Sequence, residues 1–148
     1  MADTIAFLSQ RGIPVMAHIG LTPQAVNALG GYGARGKSQE EHAKILGDAR
    51  AVAAAGAFAM VVEGVMEDLA NLITDGVDVP VIGIGASARC DGHVLVAEDM
   101  LGMFERVPRF VKRYGNMAEM VSDAAAAYAA DVRSRAFPTD DQVYRPKI

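Results

Sequence analysis

The sequence predicts an α/β fold built from parallel β/α units whose strands are covered on both faces. Three observations support this prediction. Short runs of β-branched and aliphatic residues alternate with helical segments, the strand-like runs are almost wholly apolar, and glycines close most of the segments. Continuous apolar strands are typical of parallel sheets because helices pack on both sides of such a sheet.

Size and composition indicate one globular domain spanning residues 1–148. The chain has 148 residues, of which 51% are hydrophobic and 22% charged, and this profile excludes wholesale disorder. No apolar run approaches the roughly 20 residues that cross a bilayer. The net charge is −4 and the Lys and Arg residues form no basic stripe, so we expect no nucleic-acid partner. The lone Cys90 and the lack of a leader pattern after Met1 predict a cytoplasmic protein.

The first elements are a helix and a strand. Helical periodicity over Ala2–Arg11 ends at Gly12, and the apolar run Ile13–Gly20 follows as a buried strand. The next stretch, Leu21–Ser38, is glycine-rich, and irregular segments of this length in compact domains are usually functional or mobile. Ser38 is then placed to cap a helix, with Glu41 as the second partner of a capping box.

Further strands and helices alternate along the rest of the chain. Three more strands are predicted, over Ala57–Glu63, Val79–Ala86 and His93–Ala97. Helices are predicted from Ser38 to about Ala55, and over Glu67–Thr74, Pro108–Tyr114 and Met117–Ala136, and residues 137–148 form an irregular tail. Four strands are too few to close an eight-stranded barrel, so the pattern is that of a β/α protein cut in its middle.

Two polar residues at strand ends are candidates for chemistry. Glu63 closes the apolar run AFAMVVE, and catalytic groups of parallel β/α folds come from such strand ends. A carboxylate beside apolar surface suits a general base, although a Glu already turned to solvent would give the same pattern. His18, in MAHIGL, fits either a catalytic role or a hydrogen-bonded core residue.

Other site classes have weak support. The glycines of IGIGAS, Ile82–Ser87, match neither of the common phosphate-binding spacings and more readily allow close approach of a ligand or strand. No His/Cys cluster has zinc spacing, and Glu63 with Asp91 is too small a set for octahedral Mg²⁺. We therefore expect no metal site within this chain.

Cys90 is expected to be a small structural residue, because no base is evidently paired with it.

Four blocks of sequence go beyond general pattern. They are GIPVMAHIGLTPQAVN, AAAGAFAMVVEGV, VPVIGIGASARCDGHVLVAEDMLG and FVKRYGNMAEMVSDAAAAYAADVRSRAFP. In order and spacing they resemble the second half of ketopantoate hydroxymethyltransferase, a (β/α)₈ TIM-barrel family. The resemblance implies that this chain is a C-terminal half-barrel of four parallel strands followed by the C-terminal helices.

The resemblance also implies a function. The family transfers a hydroxymethyl group from 5,10-methylenetetrahydrofolate to 3-methyl-2-oxobutanoate, giving 2-dehydropantoate for pantothenate and coenzyme A synthesis. Mg²⁺ in this family stabilises an enolate formed when a base removes the C3 proton, as expected of a Lewis acid. Full-length members are oligomers, so small-molecule substrates and a homo-oligomer are the expected partners.

Motif by motif, the resemblance assigns Glu63 as the catalytic proton acceptor and His18, Ile84 and Val96 as substrate-binding residues. Some positions depart from the family pattern, among them Ala17, where glycine is usual before the histidine. The family's Mg²⁺-binding acids belong to its first half, which this chain does not resemble.

Two other functions compete with the transferase. One is a non-catalytic half-barrel that self-associates or needs a complementary half, because open strand edges and an exposed inner face invite pairing. The other is a related enolate-forming barrel enzyme of the phosphoenolpyruvate mutase and isocitrate lyase group. The GIGAS…CDG block argues against this second alternative.

Overall fold

A computed structural model describes residues 1–25, 31 and 33–146, and its contacts divide the chain into two compact units, residues 1–95 and 96–148. The first unit contains a parallel sheet whose spatial order equals the chain order. Its strands are β1 (Met16–Gly20), β2 (Ala59–Glu63), β3 (Val81–Ile84) and β4 (Gly92–His93). The predicted α/β class with four parallel strands is confirmed. The expectation of one domain over residues 1–148 stays a prediction.

In the described part of this unit, the α-helices that accompany the sheet are α1 (Ala2–Ser9), α2 (Gln39–Ala54) and α3 (Glu67–Asp75). Ser38 caps α2 as predicted, because its hydroxyl oxygen accepts a hydrogen bond of 3.1 Å from the Glu41 N–H. The predicted capping box also requires the Glu41 carboxylate to accept a hydrogen bond from the Ser38 N–H, and this part of the prediction is wrong. The Glu41 carboxylate instead accepts hydrogen bonds from the backbone N–H groups of Gly36 and Lys37.

Alternate residues of the strands point to opposite faces of the sheet. We call one of them the covered face, which carries Ala17, Ile19, Met60, Val62, Val81 and Gly83. Its apolar side chains are at most 7% exposed and join those of Ile45, Leu69 and Ile73, from α2 and α3, in one hydrophobic cluster. We call the other the open face, which carries Met16, His18, Gly20, Ala59, Val61, Glu63, Ile82 and Ile84.

The open face is less uniformly buried. Met16 is 47% exposed, Val61 and Ile82 are partly exposed, and Ala59 and Ile84 are buried. β1 lies at one edge of the sheet, so its outward backbone groups have no strand partner among the described residues. Packing in this unit is thus concentrated on the covered face.

The predicted fourth strand, His93–Ala97, is wrong beyond its first residue. β4 covers only Gly92–His93, which pair with Ile82 and Gly83. β3 ends at Ile84 and the following Gly85 has a φ of +60°, so no strand backbone continues opposite the later residues of the run. The apolar character of Val94–Val96 therefore does not produce a strand.

The second unit contains α4 (Ala97–Met100) and α5 (Met117–Ser134), with a short 3₁₀ turn at Asp140–Gln142 inside the predicted tail. The predicted helix Pro108–Tyr114 is wrong, because the Tyr114 N–H donates to the Met100 carbonyl at 2.7 Å instead of continuing a helix. Residues 147–148 of the predicted tail, and residues 26–30 and 32 of the predicted glycine-rich stretch, lie outside the described residues. No helix in the described ranges is long and apolar enough to cross a membrane.

Candidate functional site

The site is built around Glu63 and His18, which lie on the open face. Glu63 ends β2, an inner strand of the sheet, and is in register with Gly20 of β1. His18 lies two residues before Gly20 and faces the same way. The two side chains meet, with His18 Nε2 at 3.0 Å from Glu63 Oε2, and their side chains are 34% and 15% exposed. The structure thus joins the two polar residues that the sequence singled out separately.

The main chain around Glu63 is held from both sides. The Glu63 carbonyl accepts a hydrogen bond of 2.8 Å from the Leu21 N–H, and the Gly64 N–H donates to the Ile84 carbonyl at 2.8 Å. Gly64 has a φ of +56°, a conformation that side-chain-bearing residues rarely adopt, and this turns the chain out of the strand. The carboxylate therefore projects from a fixed point of the sheet.

Gly20 makes the close approach of the two strand ends possible. Its φ is +87°, and a Cβ atom at this position would lie 2.4 Å from the Glu63 carbonyl oxygen and 2.6 Å from Val65 Cγ1. No side chain therefore fits between the end of β1 and the end of β2.

A second set of contacts attaches the segment before α2 to the loop that follows Glu63. The Arg35 N–H donates to the Gly64 carbonyl at 2.7 Å, and the Arg35 carbonyl accepts from the Met66 N–H at 3.0 Å. The Arg35 guanidinium also contacts the Glu41 carboxylate. Sequence reasoning missed Arg35. The available signal was an arginine between glycines shortly before a helix that carries two glutamates in its first turn.

A cavity of about 1010 Å³ lies beside His18, between β1 and α2, and opens to solvent. Polar side chains line much of it, including those of Thr22, Arg35, Ser38 and Glu41. Glu63 is not among its lining residues. The cavity therefore adjoins the site on the His18 side only.

The other predicted substrate residues are placed differently. Ile84 ends β3, is 8% exposed, and is in register with Glu63 on the open face. Val96 belongs to the second unit, where it precedes α4 and is 48% exposed. The structure therefore brings Glu63, His18 and Ile84 together within the first unit.

The described residues do not form a metal site. Within residues 1–25, 31 and 33–146, no group of three His, Cys, Asp or Glu side chains is arranged to hold a metal ion. His18 and Glu63 form only a pair. The Mg²⁺ that the resemblance implies therefore does not fit these residues, whose arrangement suits proton transfer instead.

The comparisons with known proteins agree with one another. The sequence profile of ketopantoate hydroxymethyltransferase matches residues 1–140. A 3-methyl-2-oxobutanoate hydroxymethyltransferase from Novosphingobium aromaticivorans is 67% identical over 99% of this chain and 51% of its own length. The enzyme of the same name from Sphingopyxis alaskensis is 67% identical over 97% of this chain and 50% of its own length. The one from Rhodospirillum centenum is 62% identical over 97% of this chain and 53% of its own length. The chain spans about half the length of these curated relatives.

Proposed function

This chain belongs to the ketopantoate hydroxymethyltransferase family, and on that premise we propose that it supplies the general base of a hydroxymethyl transfer, Glu63. The donor is 5,10-methylenetetrahydrofolate, the acceptor is 3-methyl-2-oxobutanoate and the product is 2-dehydropantoate. The observation that carries the proposal is the position of Glu63 at the carboxyl end of an inner parallel strand, 15% exposed and beside His18.

The Glu63 carboxylate accepts the proton from C3 of the keto acid, and the resulting enolate carbon forms the new C–C bond to the methylene carbon of the donor. Both bonds from that carbon to the folate nitrogens break, a water molecule supplies the hydroxyl group, and tetrahydrofolate leaves with the C3 proton and the second hydrogen of the water on its two nitrogens. Ile84, in register with Glu63, is apolar and limits the access of water to the abstracted proton. Ile84 and Val96 are the proposed substrate contacts. The resemblance also implies a substrate contact at His18, but its position 3.0 Å from the Glu63 carboxylate supports a role beside the base instead. The Mg²⁺ of the family is assigned to acidic residues outside this chain, and none of these steps uses it.

One observation favours a second candidate function. Met16 on the open face is 47% exposed, and β1 lies at a sheet edge. Both features fit a non-catalytic half-barrel that associates with another copy or with a complementary half. Light scattering at micromolar concentration tests the self-association of this candidate, which predicts a dimer or larger particle and no monomer.

The test of the base uses what we call the completed protein, in which the first half of the Novosphingobium relative is joined ahead of this chain. Glu63→Gln removes the proton acceptor and keeps the size of the side chain. We expect turnover to 2-dehydropantoate to fall by about 10²–10⁴-fold, with an unchanged circular-dichroism spectrum. Glu67→Gln, at an exposed glutamate that begins α3, is the matched control and should leave turnover unchanged. A near-normal kcat in Glu63→Gln would remove Glu63 from this role.

A further inference from the structure

We propose that His18 is a positioning residue for Glu63, holding the carboxylate in the orientation that proton abstraction needs. This inference rests on the proposed function and assigns His18 a task within it. It starts from the contact of 3.0 Å between His18 Nε2 and Glu63 Oε2. Within the described ranges, no other side chain makes a hydrogen bond or an ion pair with this carboxylate.

The need for a positioning partner follows from the geometry of the strand end. Backbone hydrogen bonds to Leu21 and Ile84 fix the main chain of the Glu63–Gly64 turn. These bonds end at the backbone, so they do not themselves fix the side-chain torsions of Glu63. A contact at the carboxylate itself is what limits this freedom.

His18 is well placed to supply that contact. It lies in the middle of β1, whose backbone is paired with β2 from Met16 to Gly20, so its own main chain is fixed. A histidine Nε2 that carries a proton donates to carboxylate acceptors, and the 3.0 Å separation puts His18 Nε2 and Glu63 Oε2 within ion-pair distance. With Oε2 facing His18, Oε1 is left to receive the substrate proton. Fixed geometry matters because a misplacement of about 1 Å can slow an enzymatic step by roughly 10²-fold.

A direct substrate contact by His18 would have a different kinetic effect. Loss of a group that binds substrate and transition state equally raises KM and leaves kcat unchanged. Loss of a group that acts by orienting the base lowers kcat with little change in KM. The two roles therefore separate in one kinetic experiment.

The first test uses the 148-residue chain itself. With ¹⁵N-labelled histidine, the ring nitrogens of three residues are observed, namely His18, His42 and His93. Glu63→Ala should shift the His18 signals and leave those of His42 and His93 in place. An unchanged His18 spectrum would show that the contact does not exist in solution and would overturn the proposal.

The second test measures hydrogen–deuterium exchange at C3 of 3-methyl-2-oxobutanoate, catalysed by the completed protein. His18→Leu should lower the exchange rate at saturation by about 10–100-fold with KM nearly unchanged. His18→Gln keeps an N–H donor and should restore most of the rate, which a purely structural defect would not allow. His42→Gln, a substitution of the same kind on α2, should have no effect.

The outcomes separate this inference from the proposed function. A higher KM with an unchanged saturating rate in His18→Leu would overturn the positioning role alone. A saturating rate that His18→Gln does not restore would also overturn it. Absence of exchange in the unsubstituted completed protein would overturn the proposed function and the positioning role together.

Discussion

The two faces of the sheet differ in what their side chains do, although they are built from alternate residues of the same strands. In β2, Val62 lies on the covered face and is fully buried, whereas its neighbours Val61 and Glu63 lie on the open face and are partly exposed. The covered face packs against helices. The open face carries the one close His–Glu contact of the described residues and is the face on which we place the reaction.

This difference separates stability from chemistry. Covered-face side chains such as Met60 and Val62 join a continuous hydrophobic cluster, so their loss weakens folding. On the open face, Glu63 depends on His18 and Gly20 for its geometry and adds little to that cluster. Substitutions on the two faces should therefore separate into effects on unfolding and effects on turnover.

The largest expected effect concerns the open face of this chain by itself. We expect the purified 148-residue chain to form no 2-dehydropantoate from 3-methyl-2-oxobutanoate, methylenetetrahydrofolate and Mg²⁺. The reason is that no cluster of the described residues can hold the cation that would stabilise the enolate. Product formation clearly above that of a Glu63→Ala control would refute this expectation.

The second prediction compares two methionines on opposite faces. Met60→Ala removes a fully buried covered-face side chain and should lower the free energy of unfolding by about 2–5 kcal/mol. Met16 lies on the open face and is 47% exposed, so Met16→Ala should lower the free energy of unfolding by less than about 1 kcal/mol. Urea denaturation of the 148-residue chain measures both. Equal costs would mean that the open face is packed against something in solution.

The third prediction compares two glycines with positive φ. Gly12→Ala, with no heavy atom within 4 Å of the new Cβ, should lower the free energy of unfolding by about 1–2 kcal/mol from backbone strain alone. Gly20→Ala should lower the free energy of unfolding by about 1–3 kcal/mol more than Gly12→Ala does, because the new Cβ would overlap the Glu63 carbonyl oxygen. Chemical denaturation of both variants gives the difference. If the two substitutions cost the same, the close approach of β1 and β2 at Gly20 is not present in solution.

The smallest expected effect lies in the helix that covers the buried face. Ser38→Ala removes the N-cap of α2 and should lower the free energy of unfolding by about 1 kcal/mol. Ser38→Gly, which caps nearly as well, should cost only a few tenths of a kcal/mol. Thermal and urea unfolding of the two variants provide the measurement. Equal losses for alanine and glycine would argue against the hydroxyl cap.

Local sequence signals were sufficient for the features that depend on neighbouring residues. Ser38 was predicted to begin a helix, and Glu63 was predicted to end a strand, because capping and apolar runs are set within a few positions. Likewise, the apolar strand runs predicted parallel pairing. These predictions were confirmed by α2, β2 and the sheet order.

Features set by distant parts of the chain were not predictable in this way. The His18–Glu63 contact depends on the register of two strands that lie more than 40 residues apart. The run after His93 is as apolar as a strand, but β3 ends before it could pair with that run. Arg35 acquires its place only through backbone bonds to Gly64 and Met66. Each of these outcomes is decided by tertiary pairing rather than by local preference.

The central claim, that the reaction takes place on the open face, is tested most directly by methyl NMR of the completed protein. Isoleucine and valine methyl groups are labelled, and 3-methyl-2-oxobutanoate is added. The account predicts shifts at the open-face residues Val61, Ile82 and Ile84, and none at the covered-face residues Ile19, Val62 and Val81. Shifts confined to the covered face, or equal on both faces, would contradict it.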